Sequence, residues 1–213
     1  MQNNNMTGKT VAILAELGPV GNLAESVIQA ILDVAYLLGN LDGWFSEKQD
    51  QYFEVIAAGL GKKPADVSPD AVGLNAKLAH LRGKVSEEEL LHSFFDGVGA
   101  DCRAFEGVPA SLLRRAFSLW TALALADGRI TPVCREALER LELQFRRFGS
   151  SDDSAEFLRQ AETLLLEAGT LELQIDGEED PVRCTALLER YQMKLRTLQT
   201  LISAPSPAEY CET

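Results

Sequence analysis

Apolar residues recur at spacings of three and four along almost the whole chain, while the apolar–polar alternation of a half-buried strand is nearly absent. This periodicity predicts an all-α protein, because a helix returns every third or fourth side chain to one face and a strand every second. Leu23, Val27, Ile28, Ile31, Ala35 and Leu38 share one face of a first long helix that should stop in the turn holding Asp42-Gly43. Ser46 and Gln49 form a capping box for the next, with Phe53, Ile56 and Leu60 as its buried stripe and Gly61 as its end. Ser68-Pro69 starts a third helix, with Leu74, Leu78 and Leu81 inward and Gly83 as its stop. Ser86 and Glu89 box a fourth, which carries Leu90, Leu91, Phe94 and Phe95.

A glycine-bearing connection around Gly97 to Pro109 is expected to lead into a helix from about Ser111 to Ala126, closed by a second turn at Asp127-Gly128. Thr131-Pro132 restarts the chain with Leu138, Leu141, Phe145 and Phe148 inward, and Gly149 to Asp153 breaks it. Asp153 and Glu156 box a further helix with Phe157, Leu158, Ala161, Leu164 and Leu165. Thr170 to Ile175 alternates apolar and polar and is a candidate short extended segment. Asp180-Pro181 opens a final helix reaching about Ser203, on which Leu187, Tyr191, Leu195, Leu198 and Ile202 stand at heptad-like spacing. Such a stripe must be covered by the chain's own bundle, a second copy or another protein, which makes it the candidate interaction surface.

Displacing the chain against itself by 85 residues places Ser26 on Ser111, Asp42 on Asp127, Gly43 on Gly128, Phe45 on Ile130, Ser46 on Thr131, Glu54 on Glu139 and Leu60 on Phe145. Two copies of one helix-turn-helix unit account for this. In each, the Gly supplies a positive φ, the apolar residue staples the loop to the core, and the hydroxyl caps the second helix. The residues Ala126-Asp127-Gly128-Arg129-Ile130-Thr131-Pro132, supported by Leu41-Asp42-Gly43-Trp44-Phe45-Ser46, resemble the TerB-like family, which includes tellurite-resistance TerB proteins and the N-terminal domain of DjlA-type cochaperones. The resemblance covers residues 20–150. It implies an internally duplicated helical bundle, a link to tellurite and stress resistance, assemblies near the inner membrane, and an acidic site for a divalent metal.

The chain departs from the family pattern at the metal site. A Glu usually follows the motif Asp by seven residues, and here Gln49 and Cys134 hold those places. Asp50 and Glu136 lie one and two positions further on, but a helix turns by about 100° per residue, so neither simply replaces the missing ligand. Asp42, Asp127, Asp50 and Glu136 are therefore the candidate cation ligands, set against the plainer reading of each Asp as a turn residue. The Asp-Gly sites at Asp42, Asp127 and Asp176 do not satisfy an EF-hand loop: with Asp42 or Asp127 at the fifth position the first falls on Leu38 or Leu123, and with Asp176 there the loop ends at Arg183.

Other chemistry is sparse. His80 and His92 fall on successive helices without metal-ligand spacing, and the run Asp176, Glu178, Glu179, Asp180 reads as a solvated loop before a helix N-terminus. Cys134, close to a helix start, would be the most activated thiol if exposed, with a buried core cysteine as the simpler reading. Neither a nucleophile elbow, a zinc-protease motif, a P-loop nor a dinucleotide fingerprint is present, and Gly97-Val98-Gly99 lacks the third glycine. Arg114-Arg115 and Arg146-Arg147 form two basic pairs read as solvated helix-face charge or a seat for an acidic partner.

The net charge of −12, concentrated toward residues 151–213, repels phosphate backbones, so no nucleic-acid partner is expected. No apolar run approaches the roughly 20 residues of a spanning helix. The short run Val11 to Ala15 after Lys9 is cut by Glu16 and does not read as a signal peptide, and the cysteines Cys102, Cys134, Cys184 and Cys211 are scattered singly. These features point to a cytoplasmic chain. The expected organisation is a tail at 1–19, the duplicated domain at 20–150, a helical extension at 151–203 on the bundle or a partner, and a disordered tail at 204–213. The expected function is non-enzymatic protein–protein recognition or self-association. A divalent-cation stress module is the alternative, and an enzyme built around His80, His92 or Cys134 is a second one.

Overall fold

A computed structural model describes residues 9–15, 24–43, 45–146 and 154–203. These form nine α-helices and a short 3-10 turn, with no strand among the described residues. The helices are α1 (Lys9–Ala15), α2 (Glu25–Asn40), α3 (Glu47–Gly59), α4 (Pro69–Leu81), α5 (Glu87–Arg103), α6 (Ala110–Ala124), α7 (Pro132–Arg146), α8 (Ser154–Gly177) and α9 (Pro181–Ser203). No helix among the described residues is long and apolar enough to cross a membrane. The expected polar start at 1–8, Leu23, Phe148, Arg147, the break at 149–153 with its Asp153 cap, and the tail from 204 with Cys211 lie outside the described residues.

The bundle is organised around α2 and α6, which pack on each other and are apolar nearly all round, as a helix buried on every side must be. Around α2 lie α3, α4 and α5, and around α6 lie α1, α3, α7, α8 and α9. The Trp120 indole N–H donates to the Ile31 carbonyl at 3.1 Å, which ties α6 to α2 and satisfies a donor that burial would otherwise orphan. Phe105, Phe117 and Phe145 surround that indole at ring separations of 5.1–6.1 Å.

The capping boxes at Ser46/Gln49 and Ser86/Glu89 and the Ser68 cap ahead of Pro69 form as the sequence predicts. Three expectations are corrected. Helix α5 continues through Gly97 and Gly99 to Arg103 instead of ending near Gly97. A Cβ on Gly97 would stand 2.2 Å from the Leu74 side chain, so this glycine lets α4 and α5 approach and breaks nothing. Thr170 to Ile175 lies inside α8: Leu171 and Ile175 are buried one turn apart with Ala168, while Leu173, the residue that completed the alternation, is exposed. The 1–19 segment is not wholly a tail, since Val11 and Leu14 of α1 belong to the main core.

The C-terminal helices share that core through Phe157, Ala161, Leu165, Leu198 and Ile202. The candidate docking stripe is accordingly covered from within: Tyr191, Leu195, Leu198 and Ile202 are buried and Leu187 is partly buried, against α8 and α6 of the same chain. These five residues are not a free surface, and of the three covers open to them the protein uses its own bundle.

Candidate functional site

The two Asp-Gly corners are built alike. Gly43 has φ +98° and donates its N–H to Asn40 at 3.1 Å; Gly128 has φ +83° and donates to Leu125 at 2.7 Å. Both conformations are ones that glycine adopts without strain. Each corner delivers a hydroxyl residue to the start of the next helix, but the expected cap forms only at Ser46, and among the described residues the Thr131 hydroxyl accepts no helix N–H. The first corner is more tightly dressed. The Phe45 ring lies where a Cβ on Gly39 would be, and Arg82 crosses Gly43 to donate from Nη2 to the Asn40 carbonyl at 2.5 Å. That guanidinium adds a second donor to the Asn40 carbonyl at the end of α2, where a cation is also favoured by the helix dipole.

The corners meet through the Ser46 cap. Ser46 Oγ accepts the Gln49 N–H at 3.1 Å, Gln49 Oε1 accepts the Ser46 N–H at 2.9 Å, and the same Ser46 hydroxyl donates to Asp127 Oδ1 at 3.0 Å. On the other side, the Cys134 thiol donates to the Leu38 carbonyl at 3.6 Å. Burial pushes that thiol up to about 11, with the Asp42 charge adding in the same direction, so the helix-start activation expected for an exposed Cys134 does not occur. Cys102 is likewise buried and pushed up to about 12.

The candidate ligands Asp42, Asp127, Asp50 and Glu136 are not gathered into one group. Asp127 serves Ser46, Glu136 accepts from Arg140 at 2.7 Å, Asp50 is exposed on α3, and Asp42 shares a cavity of about 380 Å³ with Arg82, whose charge repels a cation. Among the described residues no three His, Cys, Asp or Glu side chains form a group able to hold a metal ion. The histidines stay at the surface, His80 beside Lys84 and His92 at 3.6 Å from Asp96. Arg114 and Arg115 each have a partner, and the Arg146 side chain and Arg147 lie outside the described residues.

Sequence reasoning missed a buried polar cluster. Glu172, 1% exposed, accepts at Oε1 from the Thr10 N–H (3.1 Å), the Thr10 hydroxyl and the Tyr191 hydroxyl (2.6 Å). Burial raises the Tyr191 phenol, as does its bond to Glu172, and the Tyr52 phenol is pushed up to about 12 by burial and then by the Glu172 charge. The available signal was Glu172 itself, a charge one turn beyond Ala168 on the buried face of α8.

Two cavities flank the second corner. One of about 350 Å³ is lined by Asp127 and Gly128 together with Lys48, Tyr52 and Glu172. The other, about 470 Å³, lies between α6, α7 and α8 and is lined by Ile130, Thr121, Leu138 and Glu142, with Arg135 clamped on Glu162 by two bonds of 2.7 and 2.8 Å. Both fall in the size range of small-molecule sites. The chain matches no family model, no curated protein and no solved structure.

Proposed function

We propose that the chain is a TerB-like recognition module, a duplicated pair of helical hairpins that holds a protein partner or a second copy of itself in stress-associated assemblies, without turning over a substrate. The observation that carries this reading is the Ser46–Asp127 hydrogen bond, which joins two Asp-Gly corners of matching backbone conformation. Corners locked to one another make a rigid frame, and a rigid frame suits display of a surface. Leu166 and Leu173, one heptad apart on α8, and Val182 and Met193 on α9 remain exposed on that frame after Tyr191, Leu195, Leu198 and Ile202 have been buried.

Crosslinking of the full chain inside its native cells tests the proposal. A neighbour recovered in fixed stoichiometry, and lost in a folded Leu166→Glu/Leu173→Glu variant, supports it. A chain recovered only as an uncrosslinked monomer overturns it. Growth of cells with and without the chain on tellurite tests the stress association separately.

A further inference from the structure

The exposed threonines of α8 and α9 satisfy themselves: Thr163, Thr170, Thr185, Thr197 and Thr200 each donate the hydroxyl to the carbonyl four residues back, at 2.8–3.0 Å. Thr121, on α6 and 2% exposed, does not, and its hydroxyl has no hydrogen-bond partner among the described residues. A buried polar group without a partner destabilises the fold, and a ligand that pairs with it removes that cost. Thr121 lines the 470 Å³ cavity between α6, α7 and α8, so such a ligand has room to reach it.

The charged groups around the cavity are already committed. Arg135 and Glu162 hold each other through two bonds of 2.7 and 2.8 Å, Arg159 is engaged by Glu156 at 2.6 Å, and Glu142 has a partner of its own. Glu139 is exposed, where water screens its charge. A cation or an anion entering here would give up hydration without meeting an uncommitted counter-charge. An uncharged molecule gives up the hydration of one polar group, and the Thr121 hydroxyl replaces it. That hydroxyl donates or accepts equally well, so it takes either a hydroxyl or a carbonyl. The selection is against charge, with no choice between donor and acceptor. The remaining walls, Ile130, Leu138, Leu143 and Leu158, suit a hydrocarbon body.

We infer that this cavity binds a small uncharged amphiphile, a hydrocarbon carrying one hydroxyl or carbonyl group, with its body against the leucines and Ile130 and its polar group on the Thr121 hydroxyl. The site is independent of the docking role proposed above.

Calorimetric titration of the full chain at neutral pH with n-octanol, hexyl methyl ketone, n-octylamine and sodium octanoate, each below its solubility limit and micelle concentration, tests the inference. The alcohol and the ketone are expected to bind with one-to-one stoichiometry, to compete with each other, and to bind at least tenfold more tightly than the ammonium or the carboxylate. In Thr121→Val the affinity for both neutral ligands should fall about tenfold, while the empty protein melts at a higher temperature because a methyl group has replaced the orphaned hydroxyl. Leu143 is 53% exposed at the cavity edge, so Leu143→Trp should keep the helical circular dichroism and lose the octanol heat. The inference is overturned by the absence of saturable binding of the neutral pair, by either charged ligand binding as tightly, by unchanged neutral-ligand affinity or a lower melting temperature in Thr121→Val, or by unchanged affinity in folded Leu143→Trp.

Discussion

The Ser46 hydroxyl donates to Asp127 Oδ1 at 3.0 Å across 81 residues of sequence, so the group that caps α3 also links the two corners. A hydroxyl can accept and donate at once, and here it does both. Asp127→Ala removes only the link and is expected to cost about 1 kcal/mol, whereas Ser46→Ala removes link and cap together and is expected to cost about 2 kcal/mol. The double variant should then be no worse than Ser46→Ala, giving a coupling of about 1 kcal/mol in urea unfolding. Strict additivity of the two losses would show that the bond contributes nothing.

The corners share a backbone conformation but not their surroundings, which separates two costs of adding a methyl group. At Gly128, φ +83° with open space around it, alanine should cost about 1–2 kcal/mol from the left-handed conformation alone. At Gly43, φ +98°, the new Cβ would also lie 2.7 Å from Arg82 Cδ, displacing the side chain that serves the Asn40 carbonyl. Thermal unfolding should therefore rank Gly43→Ala below Gly128→Ala in stability. An Arg82→Ala background should narrow the gap, and an equal loss at both glycines would contradict the role given to Arg82.

Local signals in the sequence proved sufficient where the physics is local. The boxes at Ser46 and Ser86, the proline starts at Pro69, Pro132 and Pro181, and the left-handed glycines at the corners each depend on residues within one turn. The reading failed where distant packing decides. Gly97 looks like a breaker until Leu74 is seen against it, and Leu173 imitates a strand because nothing in the sequence says that it faces outward. Of the candidate residues, Asp127 and Ser46 could be placed in matching corners but not in contact with each other. Thr10, Tyr191 and Glu172 could not be associated at all, since they meet only after 162 and 19 residues of chain have folded.

The Glu172 cluster makes α1 an outlying element held by a few specific bonds. Thr10 supplies two of the donors to Glu172, and Val11 and Leu14 supply the apolar contact. Thr10→Val preserves shape but removes the hydroxyl donor, at an expected cost of about 1–2 kcal/mol. Hydrogen exchange should speed up first in α1 and only weakly in α2, because local opening of a peripheral element does not require the central pair to separate. Uniform acceleration across the bundle would mean that α1 is part of the global folding unit.

Asp101 near the end of α5 gives the fold a pH dependence whose sign is fixed by its neighbours. Burial raises its carboxyl to about 7, and the charges of Asp33 and Asp70 push it the same way. Asp33, itself buried, is held in place by the Ser68 N–H and the Gln29 amide, both at 2.9 Å. In the unfolded chain an aspartate titrates near 3.9, so between about pH 4 and pH 7 the folded protein holds a proton that the unfolded chain has released. That contribution is complete below pH 4 and is lost as the pH rises through 7. Asp101→Asn cannot ionise and should be more stable than the parent above pH 7, by about 1–2 kcal/mol once partial solvent access is allowed for. The two proteins should converge toward pH 4 in denaturant titrations taken across that range. A difference that is constant with pH would assign the effect to packing, and a parent more stable than the variant at pH 8 would mean that folding lowers the Asp101 carboxyl instead of raising it.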